Sequence, residues 1–105
     1  MRGQLKLTKE DKVWADAVKD RDGRKCVICG DAERLNAHHI IPREQHATKY
    51  DLLNGLSLCP KHHFFCRQIS AHNNPLGLIL WLQEHRAEQF AYVCERQQEI
   101  MNVRD

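Results

Sequence analysis

Metal-binding and proton-accepting side chains are concentrated in the middle of the chain. Three of the five cysteines and two adjacent pairs of histidines lie between positions 26 and 63 of the 105 residues. They are Cys26, Cys29, Cys59, His38, His39, His62 and His63. Thiolates and neutral imidazoles are the ligands that zinc prefers, and an imidazole without a metal can accept a proton near neutral pH. These residue types therefore suit a structural metal site and a second site with acid–base chemistry.

The cysteines are spaced as in a zinc knuckle. A Cys-x2-Cys pair is followed, after 29 intervening residues, by a Cys-x2-His pair. Four Cys and His ligands in a tetrahedron complete a structural zinc site. The predicted Cys3His ligands are Cys26, Cys29, Cys59 and His62. Cys66, one helical turn beyond His62, is the competing fourth ligand, and the long gap holds an insertion that contains the first histidine pair.

The histidines outside this zinc site suit a second metal and a general base. If His38 and His63 hold one divalent cation, two neutral imidazoles leave the ion its full charge and open positions for an anion. His39 then remains free of metal and can take a proton from water, because its ordinary pKa lies near neutral pH. The alternative is that all these residues simply bind more structural metal, but seven histidines are more ligand than one structural site needs.

Helix and strand signals surround these residues. The predicted elements are a helix over about 8–21, strands over 35–41 and 52–58, a helix over about 61–70, and C-terminal helices over about 75–101. Thr8 begins a capping-box pattern, Asn54-Gly55 is a hairpin-turn signal, and Asn74-Pro75 suits a helix start. The predicted class is α+β, with a strand–strand–helix core held by a Cys3His zinc site and flanked by N-terminal and C-terminal helices.

Length, cysteine count and charge indicate the number of domains, the cellular location and the kinds of partner to expect. A chain of 105 residues is expected to form one domain. An odd number of cysteines does not fit a closed disulfide framework, and the sequence has neither a signal-peptide pattern nor an apolar run long enough for a membrane. A reducing cytoplasmic location is therefore expected. Residues 1–25 carry eight Lys or Arg against five Asp or Glu, so either a polyanion or a solvated helix face is expected there.

These motifs together resemble the HNH endonucleases, a ββα-metal family. The resemblance covers about residues 26–66 and rests on Cys26-x2-Cys29-Gly30, Ala37-His38-His39-Ile40-Ile41-Pro42, Asn54-Gly55 and Leu58-Cys59-x2-His62-His63. It implies that His39 is the general base and that His38 and His63 hold the catalytic cation. It also implies that Asn54 fixes the loop that orients the base. His62 departs from the usual pattern, in which the second knuckle ends in Cys.

The resemblance implies metal-dependent hydrolysis of DNA that leaves 5′-phosphate and 3′-hydroxyl ends. The expected cofactors are a structural Zn²⁺ and a catalytic Mg²⁺ or Mn²⁺, although imidazole ligands would also accept Ni²⁺ or Zn²⁺. The candidate phosphate contacts are Lys61, Arg67, Arg43, Lys49 and His72, the last also as a metal contact. One alternative is a catalytically silent zinc module that binds nucleic acid or protein. Another is a nuclease subunit with a protein partner in a phage or other DNA-processing assembly.

Overall fold

The computed structural model describes residues 6–103. Its elements are α1 (Lys9–Arg21), β1 (Asn36–His39), a 3₁₀ turn (Leu52–Asn54), β2 (Gly55–Leu58), a π-helical turn (Lys61–Phe65), α2 (Pro75–His85) and α3 (Ala87–Asn102). β1 and β2 form a two-stranded antiparallel sheet in which Asn36 lies opposite Leu58 and His39 lies opposite Gly55. Helices thus surround a small sheet, as the predicted α+β class requires. Within residues 6–103, no helix combines the length and apolar composition that a membrane crossing requires.

Helix α1 begins at the capping box that the sequence predicts. The Thr8 hydroxyl accepts a hydrogen bond from the Asp11 amide (3.1 Å), and the Asp11 carboxylate accepts one from the Thr8 amide (2.9 Å). These reciprocal bonds satisfy N–H groups that a helix start would otherwise leave without partners. The helix buries Trp14 and Val18 and contacts both strands. The N-terminal helix is therefore placed directly against the sheet that carries the histidine pair.

The connection between the strands differs from the prediction. Asn54-Gly55 does not form a hairpin turn; residues 40–54 connect the strands, and Gly55 is the extended first residue of β2. The reason is the burial of the Asn54 side chain inside this loop, where it bonds the amide and carbonyl of Ile41 (2.7 and 3.0 Å) and the carbonyl of Thr48 (3.2 Å). These three hydrogen bonds of the Asn54 side chain outweigh the local preference of Asn-Gly for a turn.

The helix predicted over 61–70 is replaced by a single π-helical turn that ends before Cys66. The chain then folds back, and the amides of Ala71 and His72 donate to the carbonyls of His62 (2.9 Å) and His63 (3.0 Å). In a longer helix these two carbonyls would accept hydrogen bonds from amides further along the same helix. Because the returning segment donates to them instead, the helix ends after one turn. The same bonds place His72 beside His63.

The C-terminal helices cover the other side of the sheet. Asn74 caps α2 by accepting from the Gly77 amide (3.0 Å). Leu82 of α2 and Val93 of α3 are buried in the core that includes the β2 leucines. Gln89 of α3 is also buried, and its side-chain amide donates to the carbonyls of Leu53 and Gly55, just before and at the start of β2. Both helices thus pack against β2, the strand that pairs with the one carrying His38 and His39.

Candidate active site

Three histidines from separate segments converge at one side of the sheet. His38 comes from β1, His63 from the π-helical turn and His72 from the segment that folds back. One ring nitrogen from each lies within 4.8 Å of the other two. They line a cleft of about 420 Å³ together with His39. His38 and His63 were predicted as metal ligands and His72 as a phosphate or metal contact, and the structure brings the three together.

The three-histidine group is suited to hold a cation. Burial, followed by the neighbouring histidines His63 and His72, lowers the pKa of His38 to about 3. Burial and then His72 lower the pKa of His63 to about 4. Both rings are therefore neutral near pH 7, with lone pairs free to bind metal. In addition, His63 Nδ1 is buried without a hydrogen-bond partner among the described residues, and a metal ligand would satisfy it.

His39 has a different environment from its neighbour. Its ring stacks on Trp14, with ring centroids 3.9 Å apart and planes 9° from parallel. Its Nε2 lies 2.9 Å from the carbonyl oxygen of Lys49. Because a carbonyl can only accept, Nε2 carries the proton and Nδ1 keeps its lone pair. Burial has the largest influence on the pKa of His39 and lowers it, while the bond to Lys49 partly offsets this.

The loop of residues 40–54 holds that carbonyl in place. The side-chain bonds of Asn54 to Ile41 and Thr48 close the loop, and the Ile40 amide donates to the Asn54 carbonyl (2.9 Å). Lys49 immediately follows the residue that Asn54 holds. Within residues 6–103 the Asn54 side chain bonds to Ile41 and Thr48 and to no histidine ring, so its influence on His39 passes through the loop.

The three cysteine sulfurs form a second candidate metal group. The Sγ atoms of Cys26, Cys29 and Cys59 all lie within 4.8 Å of one another, and those of Cys29 and Cys59 are 3.6 Å apart. Tetrahedral zinc with Zn–S bonds of about 2.3 Å would place sulfurs about 3.8 Å apart. Burial, which disfavours an ionised sulfur, and then the neighbouring thiols of Cys29 and Cys26 raise the pKa of Cys59 to about 11. A divalent cation would remove that penalty.

The knuckle that presents these sulfurs depends on a glycine. Gly30 has a φ of +83°, in the left-handed region that other residues resist. Its amide donates to the Cys26 carbonyl (2.9 Å), and the Cys26 amide donates to the Asp31 carbonyl (2.8 Å). This tight turn directs Cys26 and Cys29 towards one point.

His62 lies outside the sulfur group. Among residues 6–103, the group with ligand atoms within 4.8 Å contains the three cysteines and no histidine. His62 is buried, and its Nδ1 is 2.8 Å from the Ile69 carbonyl oxygen. That bond leaves Nε2 as the nitrogen able to bind metal, so a fourth ligand at His62 stays a prediction. Cys66, the competing ligand, also lies outside the group, and its thiol contacts Gln68.

The basic residues predicted to contact phosphate fall into two kinds. Lys61 and Arg67 are exposed on and just after the π-helical turn. Arg43 lines the histidine cleft, but its guanidinium is 3.5 Å from the Asp11 carboxylate. The Lys49 ammonium is also near Asp11, at 3.8 Å. The exposed pair is therefore freer to meet a phosphate than the pair held at Asp11.

Two features of the site were not foreseen from sequence. Trp14 is a buried residue of α1, and it forms the surface on which His39 stacks. The Lys49 contact to His39 uses a backbone carbonyl, which no side-chain motif reveals. The helical spacing places Trp14 on the sheet-facing side of α1. Its pairing with His39, however, depends on the register of the strands, which the sequence does not reveal.

The fold and the two groups define a small α+β module able to hold metal at two places. Residues 26–65 match the family model described as HNH endonuclease. No curated protein and no solved structure matches the chain. The resemblance inferred from the motifs is thus confirmed for this segment, which contains the sulfur group and all the site histidines except His72. The match points to a nuclease-type activity, and therefore to nucleic acid as substrate.

Proposed function

We propose that this chain is a metal-dependent DNA endonuclease that hydrolyses phosphodiester bonds with one divalent cation and a histidine general base. One observation carries the proposal. His39, with its Nε2 bonded to a backbone carbonyl, lines the same cleft as the group of His38, His63 and His72. The segment that supplies most of these residues matches the HNH endonucleases.

The cation would be held by His38 and His63, with His72 as a third ligand. When bound, it supplies positive charge to the phosphate and to the leaving oxygen. A set of three imidazoles suits Mn²⁺, Ni²⁺ or Zn²⁺ better than Mg²⁺, which prefers oxygen ligands. The family resemblance favours Mg²⁺ or Mn²⁺, so Mn²⁺ satisfies both considerations.

His39 would take the proton from the attacking water at Nδ1. The hydroxyl oxygen forms a bond to phosphorus, and the bond from phosphorus to the 3′ oxygen breaks, which leaves a 5′-phosphate and, after protonation, a 3′-hydroxyl. The imidazolium that forms keeps its Nε2 proton bonded to the Lys49 carbonyl, and a carbonyl dipole at this distance stabilises positive charge. Asn54 contributes by holding the loop that carries this carbonyl.

The sulfur group would bind a structural zinc. We propose Cys26, Cys29 and Cys59 as ligands, with Nε2 of His62 as the fourth once its side chain turns towards the sulfurs. Thiolate ligands neutralise the cation, so this site would stabilise the fold without activating water. All five cysteines are free thiols, which suits a reducing cytoplasm.

The decisive test compares plasmid cleavage by the wild type, His39→Ala and His46→Ala with Mn²⁺, Mg²⁺, Ni²⁺ or no added metal. His46 is an exposed histidine in the same loop and serves as the matched control. Loss of a general base lowers the rate by about 10²- to 10⁴-fold, so His39→Ala should be nearly inactive while folded and zinc-loaded. His46→Ala should cut as the wild type does.

The outcomes separate the alternatives. Cleavage retained in His39→Ala would refute the assignment of the base. If the wild type cuts DNA with none of these metals, the nuclease proposal is wrong for the isolated chain, and a silent nucleic-acid or protein-binding module becomes the better account.

A further inference from the structure

Two adjacent aromatic side chains are exposed beside the histidine cleft. Phe64 and Phe65 belong to the π-helical turn, and they are 43% and 70% exposed. Single exposed apolar residues are common on protein surfaces, but two neighbouring aromatic rings at a candidate active site call for a ligand with an apolar face. Neither ring belongs to the buried core or to the partly buried side chains packed against it.

The rings continue outward from the metal-binding group. Phe64 stacks on His72, with centroids 5.0 Å apart and planes at 15°, and its centroid lies 4.2 Å from that of His63. The ring of Phe65 follows at 5.8 Å from Phe64. A nucleotide with its phosphate at the histidines would therefore have these rings within reach of its base.

The charges beside the rings suit a nucleic-acid strand. Lys61 begins the π-helical turn and Arg67 follows it, and both are exposed. Basic side chains that track phosphates, alternating with aromatic rings that stack on bases, are the usual means of binding single strands without sequence preference. A purely apolar protein partner would gain nothing from these two charges.

The arrangement of the rings favours unpaired bases. Stacked bases along a DNA strand repeat about every 3.4 Å and lie parallel. The rings of Phe64 and Phe65 are 5.8 Å apart and tilted by 47°. They match two bases that have separated from each other better than two that remain stacked in a duplex.

We propose that Phe64 and Phe65 form a stacking platform for bases next to the scissile phosphate, so that the preferred substrate is DNA with unpaired bases, such as single strands, flaps or mismatched segments. The inference rests on the proposed function for the position of the phosphate.

Phe65 is the residue to change, because it does not contact the histidines. Binding is measured by fluorescence anisotropy in the His39→Ala background, with one labelled oligonucleotide presented as a single strand or as a perfect duplex. Loss of one stacked base weakens binding by about 10-fold. Phe65→Ala should show this loss on the single strand and less than about a 2-fold change on the duplex. Phe65→Trp should restore the affinity.

Leu80→Ala is the matched control, since Leu80 is an exposed apolar residue (56%) on α2 that does not line the cleft. It should bind both DNA forms unchanged. An equal loss on the two forms in Phe65→Ala would overturn the inference, because stacking on unpaired bases would not produce it. Unchanged binding would overturn it as well and would favour protein docking.

Plasmid cleavage by the wild type separates this inference from the proposed function. Cleavage without a selective effect at Phe65 refutes the platform and leaves the nuclease proposal standing. A selective loss of single-strand binding in a protein that cuts no plasmid supports the platform and refutes the nuclease proposal.

Discussion

Gly55 lies directly opposite His39 in the sheet, and its lack of a side chain makes room for the support of that histidine. A Cβ atom at this position would meet Val18 Cγ2 at 2.6 Å and Trp14 Cζ2 at 2.7 Å. Both neighbours are buried and would have to move by roughly 0.8 Å to reach ordinary contact. The Gly55 backbone is extended (φ −127°), so Gly55→Ala acts through this crowding and not through backbone strain.

The crowding should cost both stability and activity. Overpacking a well-filled core destabilises a protein by about 1–3 kcal/mol. The Trp14 ring stacks on His39 at 3.9 Å, so its displacement would tilt the imidazole and disturb the 2.9 Å contact with the Lys49 carbonyl. A misplacement of about 1 Å at a catalytic group can lower the rate by about 10²-fold. We therefore expect Gly55→Ala to lose about 1–3 kcal/mol and about 10²-fold in cleavage rate.

Urea unfolding and single-turnover plasmid cleavage measure the two effects. Ser57→Ala is the control, because Ser57 is a buried residue of the same strand whose hydroxyl has no hydrogen-bond partner within residues 6–103. It should lose less than about 1 kcal/mol and keep its activity. A Gly55→Ala protein that is destabilised but cuts at the wild-type rate would show that Trp14 does not position His39. Unchanged stability would refute the packing argument itself.

Three further changes test other parts of the molecule. Asn54→Asp should be destabilised by about 3 kcal/mol in urea unfolding, and more than Asn54→Ala, because a carboxylate would face two buried carbonyl oxygens; equal stability of the two variants would contradict this. The Thr8 amide and neighbouring side chains lower the pKa of Asp11 to about 2, so its stabilising effect is present above the unfolded value of 3.8 and is lost as the pH falls towards 2. The difference in the free energy of unfolding between the wild type and Asp11→Asn should therefore shrink over that range, as measured by urea titrations at several pH values. A difference that does not change with pH would contradict the stabilising role of the Asp11 carboxylate. Cys26→Ser should lose bound zinc, by metal analysis, and melt at a lower temperature, whereas Cys94→Ser, at an exposed thiol, should change neither.

Local sequence signals predicted the parts of the fold that depend on local bonds. The capping box at Thr8 and the Asn74 cap both involve residues three positions apart, and both are present. The knuckle cysteines and the histidine motif likewise carry their spacing in the sequence. These features could be predicted because few other parts of the chain compete for the same hydrogen-bonding groups.

The mispredicted segments were decided by bonds between distant residues. A helix over about 61–70 was expected because Pro60 suits a helix start, but amides nine residues further on bond the carbonyls of His62 and His63 and end it after one turn. That return is also what brings His72, a predicted phosphate or metal contact, beside His38 and His63. In the same way, Asn54-Gly55 was a good turn signal, and only the folded loop reveals how many bonds the buried Asn54 side chain makes.

The register of the sheet explains how two adjacent histidines can have different partners. Side chains alternate between the faces of a strand, so His38 points towards His63 and His72 while His39 points towards Trp14. A shift of one residue would exchange the two. In the observed register Gly55 lies opposite His39 on the face that Trp14 and Val18 cover, where a Cβ atom would meet both side chains. Gly55, which sequence reasoning had assigned to a turn, thus favours the register in which His38 and His39 have different partners while lining one cleft.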